Sequence, residues 1–259
     1  MDTGMQLFGV GLLAFTRIVL VFVQAPIFGS HHIPKPVLAG MAVTMALVMY
    51  PHIPVPADMP QDLFPFIGAL LTQACVGLLI GFVSFLVMAA AQFGGEMLDI
   101  QMGLSVAASF DPASHGAVNL LRKVHFYLAM NLWLVLDGHH ALIRALEASF
   151  RVIPVTYFHI TSDIAFEMIR LTSNLLVIGT QIAAPALGAL FITQCALGLL
   201  ARVAPQMNVF MLSFPLNIAI GLALLTLSLP LIVRVLSVQF DANINHLVHS
   251  IKLMVPPGR

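Results

Sequence analysis

Ionisable and nucleophilic side chains are few in this chain, so each can be weighed for chemistry. Among 259 residues, 11 are Lys or Arg, 11 are Asp or Glu and 10 are His. Glu96 and Asp99 stand three apart, a spacing that sets two carboxylates on one face of a helix. Such a pair can do acid–base work or relay protons through a membrane. It can equally form a polar turn that faces solvent or an interface. His139 and His140 are adjacent. Neighbours on a helix point in different directions, whereas helical metal ligands usually stand three or four apart. The two therefore read as histidines of a helix end. Ser105 and Ser109 have no patterned base beside them, and the chain has neither a glycine-rich phosphate loop nor a nucleophile elbow. Cys75 and Cys195 each sit in an apolar run, where a reduced, buried thiol is expected rather than a disulfide framework. No catalytic constellation emerges, so the expectation is a non-enzyme without metal or cofactor.

The elements that would carry these residues are apolar. The chain is 59% hydrophobic and 8% charged, where a soluble domain is about 25% charged. Mean hydropathy is +0.98. One core of this size cannot hide so much apolar surface from water. Lipid or a large protein partner must cover the rest, which gives an all-α, polytopic membrane class. Net charge is zero and only Arg122 and Lys123 are adjacent among the cations, so no basic stripe suggests nucleic acid. The first residues lack a basic region and a small-residue cleavage site, and read as a retained helix rather than a signal peptide.

Six apolar runs predict helices over about 7–28, 37–50, 63–91, 123–136, 171–201 and 218–238. Their lengths are uneven. The second, between Pro36 and Pro51, makes only about 21 Å of helix, against a hydrocarbon core of about 30 Å. The third would extend over about 40 Å. Arg17 interrupts the first run, where it either packs against a neighbouring helix or contacts a partner. Gly77 and Gly81 fit the small-xxx-small pattern of close helix packing. Between runs three and four lies a polar stretch from Gln92 to Asn119. After Asp137, the segment 138–153 is amphipathic, with Leu142, Leu146 and Phe150 on one face, and Pro154 ends it. Pro185 predicts a kink or break in the fifth run. The segment from Arg202 to Asn217 is too broken for a spanning helix, and the tail from Gln239 is mixed.

Irregular backbone at membrane depth survives only against protein or a water-filled cavity. These runs therefore suit a channel, a transporter or a buried subunit. A proton-coupled transporter would use Glu96, Asp99 or Asp137, but the two halves show no internal similarity of the kind inverted repeats leave. The 14 methionines read mainly as adaptable packing residues, with a deformable seal around a passing chain as the second reading.

Four strings, in order, carry a resemblance. Arg17 to Met41 contains APIFGS followed by IPKP and a small-residue helix. Residues 94–112 read GGEMLDIQMGLSVAASFDP. Residues 136–154 read LDGHHALIRALEASFRVIP. Residues 197–218 read LGLLARVAPQMNVFMLSFPLNI. Together they resemble the FliR family, the flagellar member of the type III export-apparatus proteins and a homologue of the SctT-type injectisome subunit. The resemblance covers essentially the whole chain, with APQMNVF its most specific string. The chain departs from the family pattern at Asp99 (commonly Gly), Asp137 (commonly Asn) and Asn217 (commonly Lys). Its loop after Asp111-Pro112 is also shorter than usual.

The resemblance implies one export-gate domain over 1–259, built of helical hairpins with broken helices. It implies FliP-like and FliQ-like partner subunits, together with FlhB-like and FlhA-like export components. The substrates would be unfolded rod, hook and filament proteins, and the site the bacterial inner membrane, inside the flagellar basal body and largely at its periplasmic side. It makes the loop at about 103–116 a pore plug, with Ser105, Ser109, Phe110, Asp111 and Pro112 in it and Phe110 as the apolar stopper. It makes Arg17, Pro26, Gly29, Glu96, Gln101, Gly138, His139, Pro205, Gln206, Asn208, Phe210 and Pro215 interface or structural positions. The equivalent subunit of a virulence secretion system is the nearest alternative, and a secondary transporter the alternative from another class.

Overall fold

The computed structural model describes residues 3–29, 33–54, 59–60, 62–104, 119–156 and 161–255. Among these the regular structure is helical: α1 (Thr3–Gln24), α2 (Lys35–Met49) with a 3-10 turn at Tyr50–His52, α3 (Leu63–Gln101), α4 (Leu120–Val135), α5 (Gly138–Val152), α6 (Ser162–Val203) and α7 (Val209–Leu253). Four of them, α1, α3, α6 and α7, are long and apolar enough to cross a membrane. The chain is an all-α protein with membrane-spanning-capable helices. It divides into two compact units, residues 1–86, 134–172 and 240–259 in the first, and 87–133 and 173–239 in the second.

Local chemistry sets most helix ends. Helix α1 stops at Gln24 rather than near Phe28, just before Ala25 and Pro26. Pro34 precedes α2, whose first turn holds Pro36, where a missing N–H costs nothing. Helix α5 ends where Ile153 turns extended ahead of Pro154. The side chain of Asn208 accepts a hydrogen bond from the Met211 N–H (3.2 Å) and caps α7.

Four expectations are corrected. Helix α3 does not end near residue 91 but runs through Gly94 and Gly95 to Gln101. The tail from Gln239 is helical to Leu253. Helix α6 continues through Pro185 without a break, and the segment 202–217, expected to be too broken for a spanning helix, enters at Val209 the helix α7, which holds Pro215 and Pro230 within it. In α3, packing overrides propensity. Gly94 lies against the Gly179 carbonyl of α6, where a Cβ would come within 2.7 Å, and Gly95 lies against the backbone of Leu121 and Arg122 on α4. The glycines continue α3 because they admit two neighbouring helices to backbone contact.

In the first unit the core gathers Leu13, Ile18 and Phe22 of α1 with Leu142, Leu146 and Phe150 of α5, the predicted apolar face. The Gly77–Gly81 step marks the α1–α3 contact: a Cβ on Gly77 would come within 2.6 Å of the Arg17 carbonyl. In the second unit Leu98, Met102, Leu121, Ala183, Ala186 and Leu190 form the core.

Candidate functional site

Arg17 is the most deeply buried cation, with no exposed surface. Its Nε donates to Oε1 of Gln73 (2.7 Å), one terminal nitrogen to Oγ of Ser149 (3.1 Å) and the other to the Ile153 carbonyl (3.2 Å). The guanidinium also sits 4.3 Å from the Phe150 ring centroid. Gln73 passes the network on through Nε2 to the Val155 carbonyl (2.9 Å). One side chain thus ties α1, α3, α5 and the turn after α5 through neutral acceptors. Within the chain every arm of Arg17 is occupied, so it is a structural knot and not a free contact for a partner.

A second polar cluster joins α3 to α4. Asp99, fully buried, accepts the backbone N–H groups of Leu121 and Arg122, both at 3.0 Å. A carboxylate at a helix N-terminus satisfies orphan donors and complements the helix dipole. Glu96 lies one turn earlier, 3.9 Å from Arg122, whose Nε also donates to Gln92 (3.2 Å). The two carboxylates do share a face, and both reach the first turn of α4. Asp99 spends its oxygens on the backbone, and Glu96 is in a half-exposed ion pair, so no described group completes an acid–base pair with either. His125, one turn deeper, has its ring Nδ1 2.8 Å from the Leu121 carbonyl. Burial pushes its pKa below the ordinary value, against smaller upward effects of that hydrogen bond and of Asp99.

Helix α3 ends at Gln101, and Gly103 follows with φ +79°. A Cβ there would lie 2.8 Å from the Phe214 ring. Gly103 and the Asp99-held first turn of α4 are therefore the two fixed footings of the intervening segment. Ser105, Ser109, Phe110, Asp111 and Pro112 lie outside the described residues.

The remaining predicted positions are spread along the chain. Pro26 is buried and Gly29 exposed, in the turn after α1. A Cβ on Gly29 would come within 2.1 Å of the Val23 carbonyl, so only glycine fits. Pro205, Gln206, Asn208, Phe210 and Pro215 are exposed around the start of α7, with Phe210 edge-on to Phe214 at 4.9 Å. Gly138 is buried at the start of α5 and His139 half-buried beside it. The expectation that His139 and His140 point apart is corrected: their rings lie 4.0 Å from each other. Cys75 and Cys195 are both free thiols, but Cys75 is only half-buried and Cys195 is exposed, where both were expected to be buried. Cys195 stands on a face of α6 that also exposes Phe191, Ile192 and Leu199.

Helices α6 and α7 leave most of their apolar surface uncovered by the chain. In the most apolar stretch of α3, 61% of residues are buried within the chain, against 28% in α6 and 22% in α7. Phe166, Phe191, Ile192, Leu199, Val203 and Leu227 are each more than 60% exposed.

The profile of the bacterial export proteins, family 1, matches residues 8–242. The chain belongs to that family. Among relatives of this export protein are flagellar biosynthetic proteins FliR of three bacteria. That of Escherichia coli K12 is 32% identical over 83% of this chain and 82% of its own length. That of Bacillus subtilis is 31% identical over 94% and 95%, and that of Caulobacter vibrioides 30% over 85% and 88%. The residues that sequence reasoning missed are the polar partners of Arg17 and Arg122. Gln73 and Ser149 sit singly in apolar or amphipathic runs, where a lone polar side chain was the only signal, and Gln92 opens the polar stretch after the third run.

Proposed function

We propose that this chain is a core subunit of the flagellar protein export gate. The observation that carries the reading is the family match over nearly the whole chain. The geometry favours an assembled subunit. Helices α6 and α7 contain 42 and 45 residues, about 63 and 68 Å at 1.5 Å per residue, twice the roughly 30 Å of a hydrocarbon core. Lipid covers only part of their apolar faces, so neighbouring protein covers the rest. FliP-like and FliQ-like subunits are the neighbours proposed, with FlhB-like and FlhA-like components alongside, at the inner membrane in the basal body and largely on its periplasmic side. The conduit would pass unfolded rod, hook and filament proteins, and the resemblance supports segment 103–116, with Phe110, as its plug. A proton relay is disfavoured, because Asp99 is engaged by two backbone N–H groups and Glu96 by Arg122.

Co-expression of the full chain with the FliP-like and FliQ-like subunits tests the assembly. A defined complex should co-purify in mild detergent, and Phe191→Asp or Leu199→Asp should release the chain from it without lowering its own abundance. A chain that purifies alone at every subunit ratio would overturn the proposal.

A further inference from the structure

The turn between α4 and α5 collects three side chains to which the gate reading gives no chemistry. One donor atom from each of Asp137, His139 and His140 lies within 4.8 Å of the others. The two histidine rings already meet, with centroids 4.0 Å apart, and Asp137 joins them for a backbone reason. Asp137, with φ 55° and ψ 29°, is left-handed and turns the chain directly into Gly138, the first residue of α5. Its carboxylate thereby swings over the first turn. Oδ1 of Asp137 stands 3.1 Å from Nδ1 of His140. Two ligands with bonds of about 2.1 Å to one ion stand roughly 3.0–3.4 Å apart. The Asp137–His140 pair already has that separation, and a donor atom of the half-buried His139 lies within 4.8 Å of both. The side chains of His140 and Asp137 are 56% and 74% exposed, so an ion from solvent reaches them.

We propose that Asp137, His139 and His140 bind one divalent transition-metal ion of the zinc class. Two imidazoles and one carboxylate favour zinc, nickel or copper over magnesium and calcium, which prefer all-oxygen shells. Three protein ligands leave a position for water. The bound ion replaces the single Asp137–His140 hydrogen bond by three coordination bonds and fastens the left-handed turn to the start of α5.

The test uses the full-length protein, purified in detergent without a histidine tag and stripped with EDTA. Cobalt(II) is titrated and followed by its visible absorption, then displaced by zinc(II). Saturation at one equivalent with micromolar or tighter affinity is expected. Asp137→Asn keeps a residue that tolerates the left-handed backbone and removes only the anionic donor. It and His140→Asn should each weaken binding at least tenfold, while His249→Asn leaves it unchanged. Absence of saturable binding below millimolar cobalt overturns the site. So does undiminished affinity in Asp137→Asn and His140→Asn, since the ion would then be held by other histidines. Circular dichroism of Asp137→Asn matching that of the parent shows that lost binding reports lost ligation.

Discussion

Replacing Arg17 by Met keeps the side-chain stem and removes the guanidinium. Three acceptors then change state. Oε1 of Gln73 and the Ile153 carbonyl lose their Arg17 donors in a buried setting. Ser149 keeps its bond to the Leu146 carbonyl (2.6 Å) and loses only the donor to its oxygen. Each orphaned acceptor costs about 1–3 kcal/mol, and the lost contact with the Phe150 ring adds up to about 2 kcal/mol. Against these stands the relief of a buried charge that has no carboxylate partner, worth several kcal/mol in principle. Deletion of one member of a buried network generally destabilises by about 3–5 kcal/mol, and with the relief of charge burial the expected loss is about 2–4 kcal/mol. Unfolding of the purified chain in mild detergent, followed by circular dichroism, measures it. The decisive arm is the double variant Arg17→Met with Gln73→Leu. Removal of both partners should recover about 1–2 kcal/mol relative to the sum of the single changes. A single variant within about 0.5 kcal/mol of the parent, or strict additivity in the double, would refute the knot.

Three further outcomes follow from the same geometry. Asp99→Asn leaves one of the Leu121 and Arg122 N–H groups without its acceptor and removes the charge at the α4 N-terminus, so a stability loss of about 1–3 kcal/mol is expected in the same assay. Gly29→Ala drives a Cβ into the Val23 carbonyl and should abolish accumulation in the membrane, whereas Gly188→Ala, with open space around it, should leave abundance unchanged by immunoblot. His125 lies on α4, which is not among the four membrane-crossing helices. Its pKa is lowered by burial, so the unfolded state takes up its proton first. The stability it protects is complete above about pH 6.5 and declines as pH falls below that value. In His125→Gln this part of the pH dependence should vanish, measured as unfolding midpoints between about pH 5 and 8.

Helix class and the long apolar segments were legible from composition and run length, because lipid exposure demands apolar side chains and a backbone away from water must pair its own polar groups in a helix. The amphipathic helix α5 was legible from Leu142, Leu146 and Phe150, since one helix turn repeats its face regardless of context. What the sequence hid depended on neighbours. The glycine pair at Gly94–Gly95 reads as a helix breaker until α4 and α6 are seen to approach there. The polar residues between Asp241 and Lys252 read as a tail until they are seen on α7. Arg17 reads as a residue that snorkels, packs against a neighbouring helix or contacts a partner, and only the tertiary placement of Gln73, Ser149 and Ile153 decides for the neighbouring helices. His139 and His140 were separated by the rule for backbone directions on a regular helix, which does not fix where two long side chains bring their rings.

Export through the flagellar route is the central claim, and loss of the gene tests it most directly. The host lacking this chain should not swim, and hook and filament protein should vanish from the culture supernatant while persisting inside the cell. The plain gene should restore both. Normal swimming with intact export in the deletion strain would contradict the account, and selective loss of effector secretion instead would assign the chain to an injection system.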